Sequence, residues 1–256
     1  MTTQQFDTCT LDNGLRVVVQ SMPGMQSAAL TLMIPAGSVY DPDGKAGTTA
    51  ILSEIFSRGA GDLSARELSS AFDNIGLQRS VSGGVGYVTV SAATTADRIL
   101  DAVPLIAKML LKPHITPENF APSRELVHQA LNAMEDEPKQ RLGQYLRRCS
   151  YPTPFSNPSE GTMEDLPNVS IADVQSHFDS LIIPNDAVLG IAGNVDSAEI
   201  QQALADAFGS WKPGTPRQLI AGAVTPSPMH IEHDSAQTHI GLAWDTVPYI
   251  HDRYFE

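Results

Sequence analysis

The stretch LQRSVSGGVGYVTVSA, residues 77–92, constrains the fold more than any other part of the chain. Its second arm, YVTVSA, alternates apolar and polar side chains as a half-buried strand does. SGGVG (82–86) supplies a flexible turn between the arms, so the pair reads as a hairpin. Strands joined this closely run antiparallel, since a parallel pair needs a long crossover. Upstream, LDNGLRVVVQ (11–20) places an Asp-Asn-Gly turn before an apolar run ending at Val19, and a second strand is predicted over roughly 28–35. Gly37, Pro42 and Gly44 then punctuate a loop.

Helical signals follow over 46–58 and again from Ser64, an N-cap with Glu67 three residues on; Gly76 stops that helix. Longer helices are predicted over about 96–111 and 117–135, separated by Pro113–Pro117, with Met109, Leu110 and Leu111 assigned to the core. Helix resumes after Glu137-Pro138, and YPTPFSNPSEGT reads as an irregular loop. Ser170 and Asp173 form another capping box, AVLGIAGNVD a short buried strand, and 197–208 a helix. Strands and helices do not alternate strictly. The order predicts an α+β fold, a layered sandwich in which helices cover a mostly antiparallel sheet. Dinucleotide and P-loop glycine fingerprints are absent.

SAQTHIGLAWDTVPYIHD (235–252) resembles SAALTLMIPAGSVYDPD (27–43), which suggests an internal repeat. On that reading residues 1–212 form one complete repeat, 213–228 a linker and 229–256 the beginning of a second repeat, apparently truncated.

The chain has 256 residues, 42% of them hydrophobic and 18% charged, enough for a packed core. Its formal charge of −13, with 16 basic residues spread thinly, excludes nucleic acid as the main partner. Two distant thiols, Cys9 and Cys149, fit a reducing compartment. The N-terminus lacks a basic region followed by an apolar one, and no apolar run is long enough to span a membrane, so the expectation is no membrane and a cytoplasmic location.

TCTLDNGLRVVVQ, AGSVYD, GTTAILSEIFSRGA, the hairpin after NIGLQRS, MEDEP and AGNVD occur in an order and spacing that resemble the pitrilysin and mitochondrial-processing-peptidase family of zinc metallopeptidases. The resemblance covers essentially the whole chain. It implies an inverted His-x-x-Glu-His motif on the first helix, where two histidines share one face and reach one zinc ion while the glutamate acts as general base. A further glutamate from a long downstream helix completes such a site. Laid onto this sequence, those positions are Ala50, Ser53, Glu54 and Ala130. Three of the four carry no usable ligand or base, and one carboxylate does not make a three-ligand site. The face of Ala130 is expected to hold Leu126, Val127, Ala133 and Met134 and to be built for packing, with His128 about 200° away around the helix.

Other features read more plainly. Glu54 fits either a remnant ligand or contact to a basic peptide, or a surface carboxylate paired with Arg58 at i+4. His230 and His233 in HIEH fall in a predicted strand and face opposite sides, as surface histidines. His114, His177, His239 and His251 lack ligand-spaced companions. Ser53 has no local base to make it a nucleophile. The strand over 86–93 is either an edge that an extended peptide could join or an interior strand.

The resemblance therefore implies a member with no catalytic residue, metal ligand or cofactor of its own, zinc being expected only in a catalytic partner. The leading expectation is a non-catalytic subunit or half of a processing-peptidase-like zinc metalloprotease. It would bind unfolded peptide and complete the chamber of a homologous catalytic subunit, or act as a homodimer. Two alternatives stand beside it: a structural or assembly protein of the same fold, and an active zinc endopeptidase with an unconventional site.

Overall fold

The computed structural model describes residues 6–223, 228–232 and 237–255. A six-stranded sheet is built from β1 (Asp7–Thr10), β2 (Arg16–Ser21), β3 (Ser27–Ile34), β6 (Gln78–Gly83), β7 (Val88–Thr95) and β8 (Val188–Gly193). Their spatial order is β1-β2-β8-β3-β7-β6. All neighbours pair antiparallel except β2 and β8, which run parallel from Arg16↔Val188 to Ser21↔Gly193. A separate small ladder joins β4 (Gly59–Ala60) to β5 (Leu63–Ser64).

Among the described residues seven α-helices complete the fold: α1 (Thr48–Ile55), α2 (Ala65–Asn74), α3 (Ile99–Leu111), α4 (Pro117–Glu135), α5 (Pro138–Ser150), α6 (Ile171–Leu181) and α7 (Ser197–Phe208). Helices bury one face of the sheet, while α5 packs on α4 and buries none of its own residues. In β3 the side chains of Ala28, Leu30, Leu32 and Ile34 point into the core while Ser27, Ala29, Thr31 and Met33 face out, as the period of two dictates. Val17 and Val19 of β2, Val88 and Val90 of β7, and Leu189 and Ile191 of β8 join the same cluster, together with Ile51, Leu52, Ile55 and Phe56 around α1. Met109 and Leu110 are fully buried and Leu111 packs against them.

The predicted α+β sandwich is the observed architecture, and the local signals sit where the elements begin. Ser64 and Glu67 close a capping box on α2, and Ser170 and Asp173 close another on α6. In the Asp-Asn-Gly turn, Asn13 accepts from the Leu15 N–H, and its amide donates to the carbonyls of Phe208 and Trp211. That ties the first hairpin to the end of α7.

Several expectations need correction. The strand over 86–93 is β7, an interior strand between β3 and β6; the edge on that side of the sheet is β6, and β1 forms the opposite edge. The strand read into 235–252 does not form: residues 237–248 hold no regular structure, and 235–236 lie outside the described residues. A strand needs a ladder, and among the described residues none is offered to this segment. For the same reason His230 is an exposed residue without strand geometry, while His233 lies outside the described residues. The strand β1 is additional; its short sequence carries no pattern of its own, and pairing with β2 makes it a strand.

Gly193 ends β8 with φ +148, and a Cβ there would stand 2.4 Å from the Ser27 carbonyl oxygen of β3. Only glycine permits that approach. Gly193→Ala is expected to destabilise the fold by about 2–4 kcal/mol, read from the midpoint of urea unfolding.

Candidate functional site

The four positions onto which the resemblance lays a metal centre belong to α1 and α4, two helices that pack against each other. The structure gives them unequal surroundings. Ala50 is half-buried, Ser53 is buried, and Glu54 and Ala130 are exposed. Ser53 Oγ donates to the Thr49 carbonyl one turn back, at 2.9 Å, so its hydroxyl is engaged with its own helix. Glu54 forms no ion pair with Arg58 among the described residues, against the i+4 expectation; Arg58 Nε is buried without a partner. The packing seam of α4 is Ser123, Val127 and Leu131. Leu126 is 43% exposed, and Ala130 and Ala133 face solvent, so the face of Ala130 is open rather than packed. Spacing alone misplaced it because the i, i+4, i+8 row one residue away meets α1 instead.

Zinc does not fit these positions. Two methyl groups offer no electron pair, the hydroxyl already donates to a carbonyl, and one exposed carboxylate remains. No group of three or more His, Cys, Asp or Glu side chains among the described residues is close enough to hold a metal ion.

The polar structure of this region lies instead beneath α1. Asp41, on the loop after β3, is 5% exposed. Its Oδ2 accepts from the Gly47 N–H at 2.9 Å, and its Oδ1 accepts from the Thr49 N–H at 2.9 Å and the Thr49 hydroxyl at 2.6 Å. A carboxylate thereby caps the N-terminus of α1, where the free N–H groups and the helix dipole favour negative charge. His177 of α6, 4% exposed, completes the cluster. Its Nε2 stands 3.0 Å from the Ala36 carbonyl and 3.2 Å from Thr49 Oγ1, and its Nδ1 is 3.9 Å from Asp41 Oδ1. Because Nε2 meets a carbonyl it carries the proton, which leaves Nδ1 facing the carboxylate. Burial pushes the Asp41 carboxyl up, against the pull of His177, Thr49 and Gly47. Burial pushes His177 down, against the pull of Asp41 and the Ala36 carbonyl.

Thr49 also meets the sheet. A Cβ on Gly83, the last residue of β6, would stand 2.7 Å from Thr49 Cγ2 and 3.0 Å from Ser53 Oγ, so glycine lets the end of this strand lie directly on α1. The following turn is held by Gly37, Ser38 and Val39, whose N–H groups donate to the carbonyls of Gly86, Gly84 and Val85 at 3.0–3.3 Å. SGGVG is therefore the tip of the β6–β7 hairpin, docked beside the capping loop of α1. Among the described residues no strand pairs with the outer edge of β6. It contains neither Pro nor Lys, and its one charge, Arg79, folds back over the Phe72 ring at 4.1 Å.

The insulinase model of peptidase family M16 matches residues 16–162, more than half of the chain. The chain belongs to peptidase family M16. A second model, the peptidase M16 inactive domain, matches residues 168–256. An uncharacterized zinc protease of Rickettsia felis is 23% identical over 248 residues, covering 96% of this chain and 60% of that protein. This chain thus spans less than two thirds of the relative's length. A protease structure from Helicobacter pylori superposes with a TM-score of 0.78 at 20% identity, covering 88% of this chain and 54% of that one. Pitrilysin superposes with a TM-score of 0.77 at 21% identity, covering 87% of this chain and 25% of that one. These likenesses establish the M16 fold. The boundary between the two family matches falls before α6, yet β8 beyond it completes the same sheet as β2 and β3.

Two measurements test this description. The substitutions Ala50→His, Ser53→Glu, Glu54→His and Ala130→Glu, made together, are expected to bind about one zinc ion per chain. A folded variant that takes up no metal in equilibrium dialysis would show that these are not the M16 ligand positions. The second test concerns pH. His177 is held below its ordinary 6.5, so the unfolded chain takes up the proton first as pH falls, and its contribution to stability is lost below about that value. Asp41, raised by burial, acts in the opposite sense, its contribution shrinking as pH rises through its folded value. The stability difference between wild type and His177→Gln is therefore expected to shift against wild type between about pH 7.5 and about pH 5.5, measured by urea unfolding at both.

Proposed function

We propose that this M16 chain is a non-catalytic subunit or half-subunit that holds an unfolded peptide in extended form beside a zinc-bearing homologous partner. The observation that carries the reading is the juxtaposition of an open strand edge with a helix lacking the residues for metal chemistry. β6 exposes one row of backbone N–H and C=O groups, and natural sheets usually protect such edges with Pro, Lys, bulges or covering elements. Here no strand among the described residues covers the edge, while the glycine contact at its end fixes it against α1. A peptide joining β6 would gain main-chain hydrogen bonds without a sequence requirement. The side chains beside it, Gln78, Ser80 and Ser82, are exposed and uncharged, so they impose little selection.

Chemistry on the bound peptide needs a metal or an activated nucleophile. The positions on α1 and α4 supply neither, and Ser53 has no base within reach in the hydrogen-bonding pattern around it. A catalytic partner carrying His-x-x-Glu-His would provide the reaction, and this chain the grip and part of the enclosing wall. The two free thiols suit a reducing compartment such as the cytoplasm.

The test combines peptide binding with a proline scan of the edge. A fluorescein-labelled unstructured peptide of about 15 residues should bind the chain, read by anisotropy, without being cut. In an antiparallel strand alternate N–H groups point outward, so of Ser80→Pro and Val81→Pro one removes a ladder bond and the other an outward donor. The variant that keeps wild-type stability is expected to lose about tenfold or more in peptide affinity. Unchanged affinity in that variant would remove β6 as the docking edge, and cleavage by the isolated chain would overturn the non-catalytic reading.

A further inference from the structure

The Asp41–His177 pair has a feature that capping alone does not require. Asp41 Oδ1 serves two masters in space: it accepts from the Thr49 N–H and hydroxyl at 2.9 and 2.6 Å, and it is also the carboxylate oxygen nearest His177 Nδ1, at 3.9 Å. While Nδ1 is unprotonated it offers that oxygen nothing. Once protonated it becomes a charged donor one short movement away, in a site closed to water. The imidazole is already pinned at its other nitrogen by the Ala36 carbonyl, so Nδ1–H can be directed only toward Asp41. Closing the 3.9 Å gap draws Oδ1 off the first turn of α1. Thr49 then loses acceptors, and Thr49 is the residue whose methyl group lies against Gly83 at the end of β6.

We infer that the Asp41–His177 pair is a proton-operated latch: with His177 neutral, Asp41 clamps the N-terminus of α1 and the seam with β6, and with His177 protonated, both loosen. The inference rests on the reading of β6 as the docking edge only for its consequence, which is weaker peptide binding in acid. The latch itself stands on three elements converging on one oxygen. It needs no other titrating neighbour. Asp41 faces His177 from the loop after β3, Arg217 acts on it from the chain beyond α7, and Thr49 of α1 and the Ala36 carbonyl do not titrate. Asp173, on the same helix as His177, is engaged by Lys45 and Ser170 instead. The net lowering of His177 by burial means the latch is clamped at neutral pH and opens on acidification.

Hydrogen exchange on the full chain without peptide tests the latch directly. Protection of the Thr49 amide, referenced to the core amides of β3, is expected to fall about fivefold or more between about pH 7.5 and about pH 5.5 in wild type. It should stay constant in His177→Gln, which keeps a donor for the Ala36 carbonyl and does not titrate. Asp41→Asn, which keeps the acceptor for Thr49 without the charge that draws Nδ1, provides a second non-responding variant should the first fail to fold. Equal pH responses in wild type and in the folded variants would overturn the latch. The labelled peptide used for the edge test is then titrated at both pH values. A fall in affinity of about fivefold confined to wild type supports the coupling to β6. A wild-type exchange response with no peptide binding at either pH supports the latch and discards the docking edge, so the two failures are told apart.

Discussion

The structure depends on one pairing: β8, from far along the chain, inserts between β2 and β3 and makes a continuous sheet of what would otherwise be a β1–β2 hairpin and a separate three-stranded unit of β3, β7 and β6. The centre of the sheet therefore joins strands that lie far apart in the sequence. The insertion is possible because β8 approaches β3 closely at Gly193, and because its alternate residues Leu189 and Ile191 fill the helix-covered side. A central strand supplied this late gives the fold many contacts between residues far apart in sequence, and such long-range closure is what makes a single cooperative core out of helices that pack on one face.

The second organising element is polar and lies inside that core. A short helix with no acidic residue in its first turn takes its N-terminal charge from a buried carboxylate on a neighbouring loop. Burying Asp41 is tolerable because three donors meet it, and burying His177 is tolerable because it is neutral and anchored at a carbonyl. The result is a helix held at its beginning by a network and along its side by a strand end with no side chain. On this helix Ala50 is half-buried, the Ser53 hydroxyl is engaged with the Thr49 carbonyl, and Glu54 faces solvent.

Local chemistry was legible in the sequence and tertiary partnership was not. The capping boxes at Ser64 and Ser170 and the hairpin around SGGVG involve residues within a few positions of each other, so their patterns specify them. The strand over 86–93 showed alternation but nothing to say whether a neighbour lay on both sides. The face of Ala130 was misjudged because several rows of α4 are apolar and only contact with α1 selects one. The strand expected near residue 240 has the right composition, and no partner in the described residues turns composition into structure. In the sequence His177 is a lone histidine, since its partners Thr49 and Ala36 lie 128 and 141 positions away.

Sequence by itself determined the α+β class, the starts of most helices and the family resemblance, because each of these is written in residue identity or short-range spacing. The folded structure alone decided which strand is the edge, which face of α4 is open, and that a carboxylate and an imidazole meet under α1. Those outcomes depend on groups brought together across long stretches of chain, where burial and exclusion of water, rather than local pattern, set the interactions.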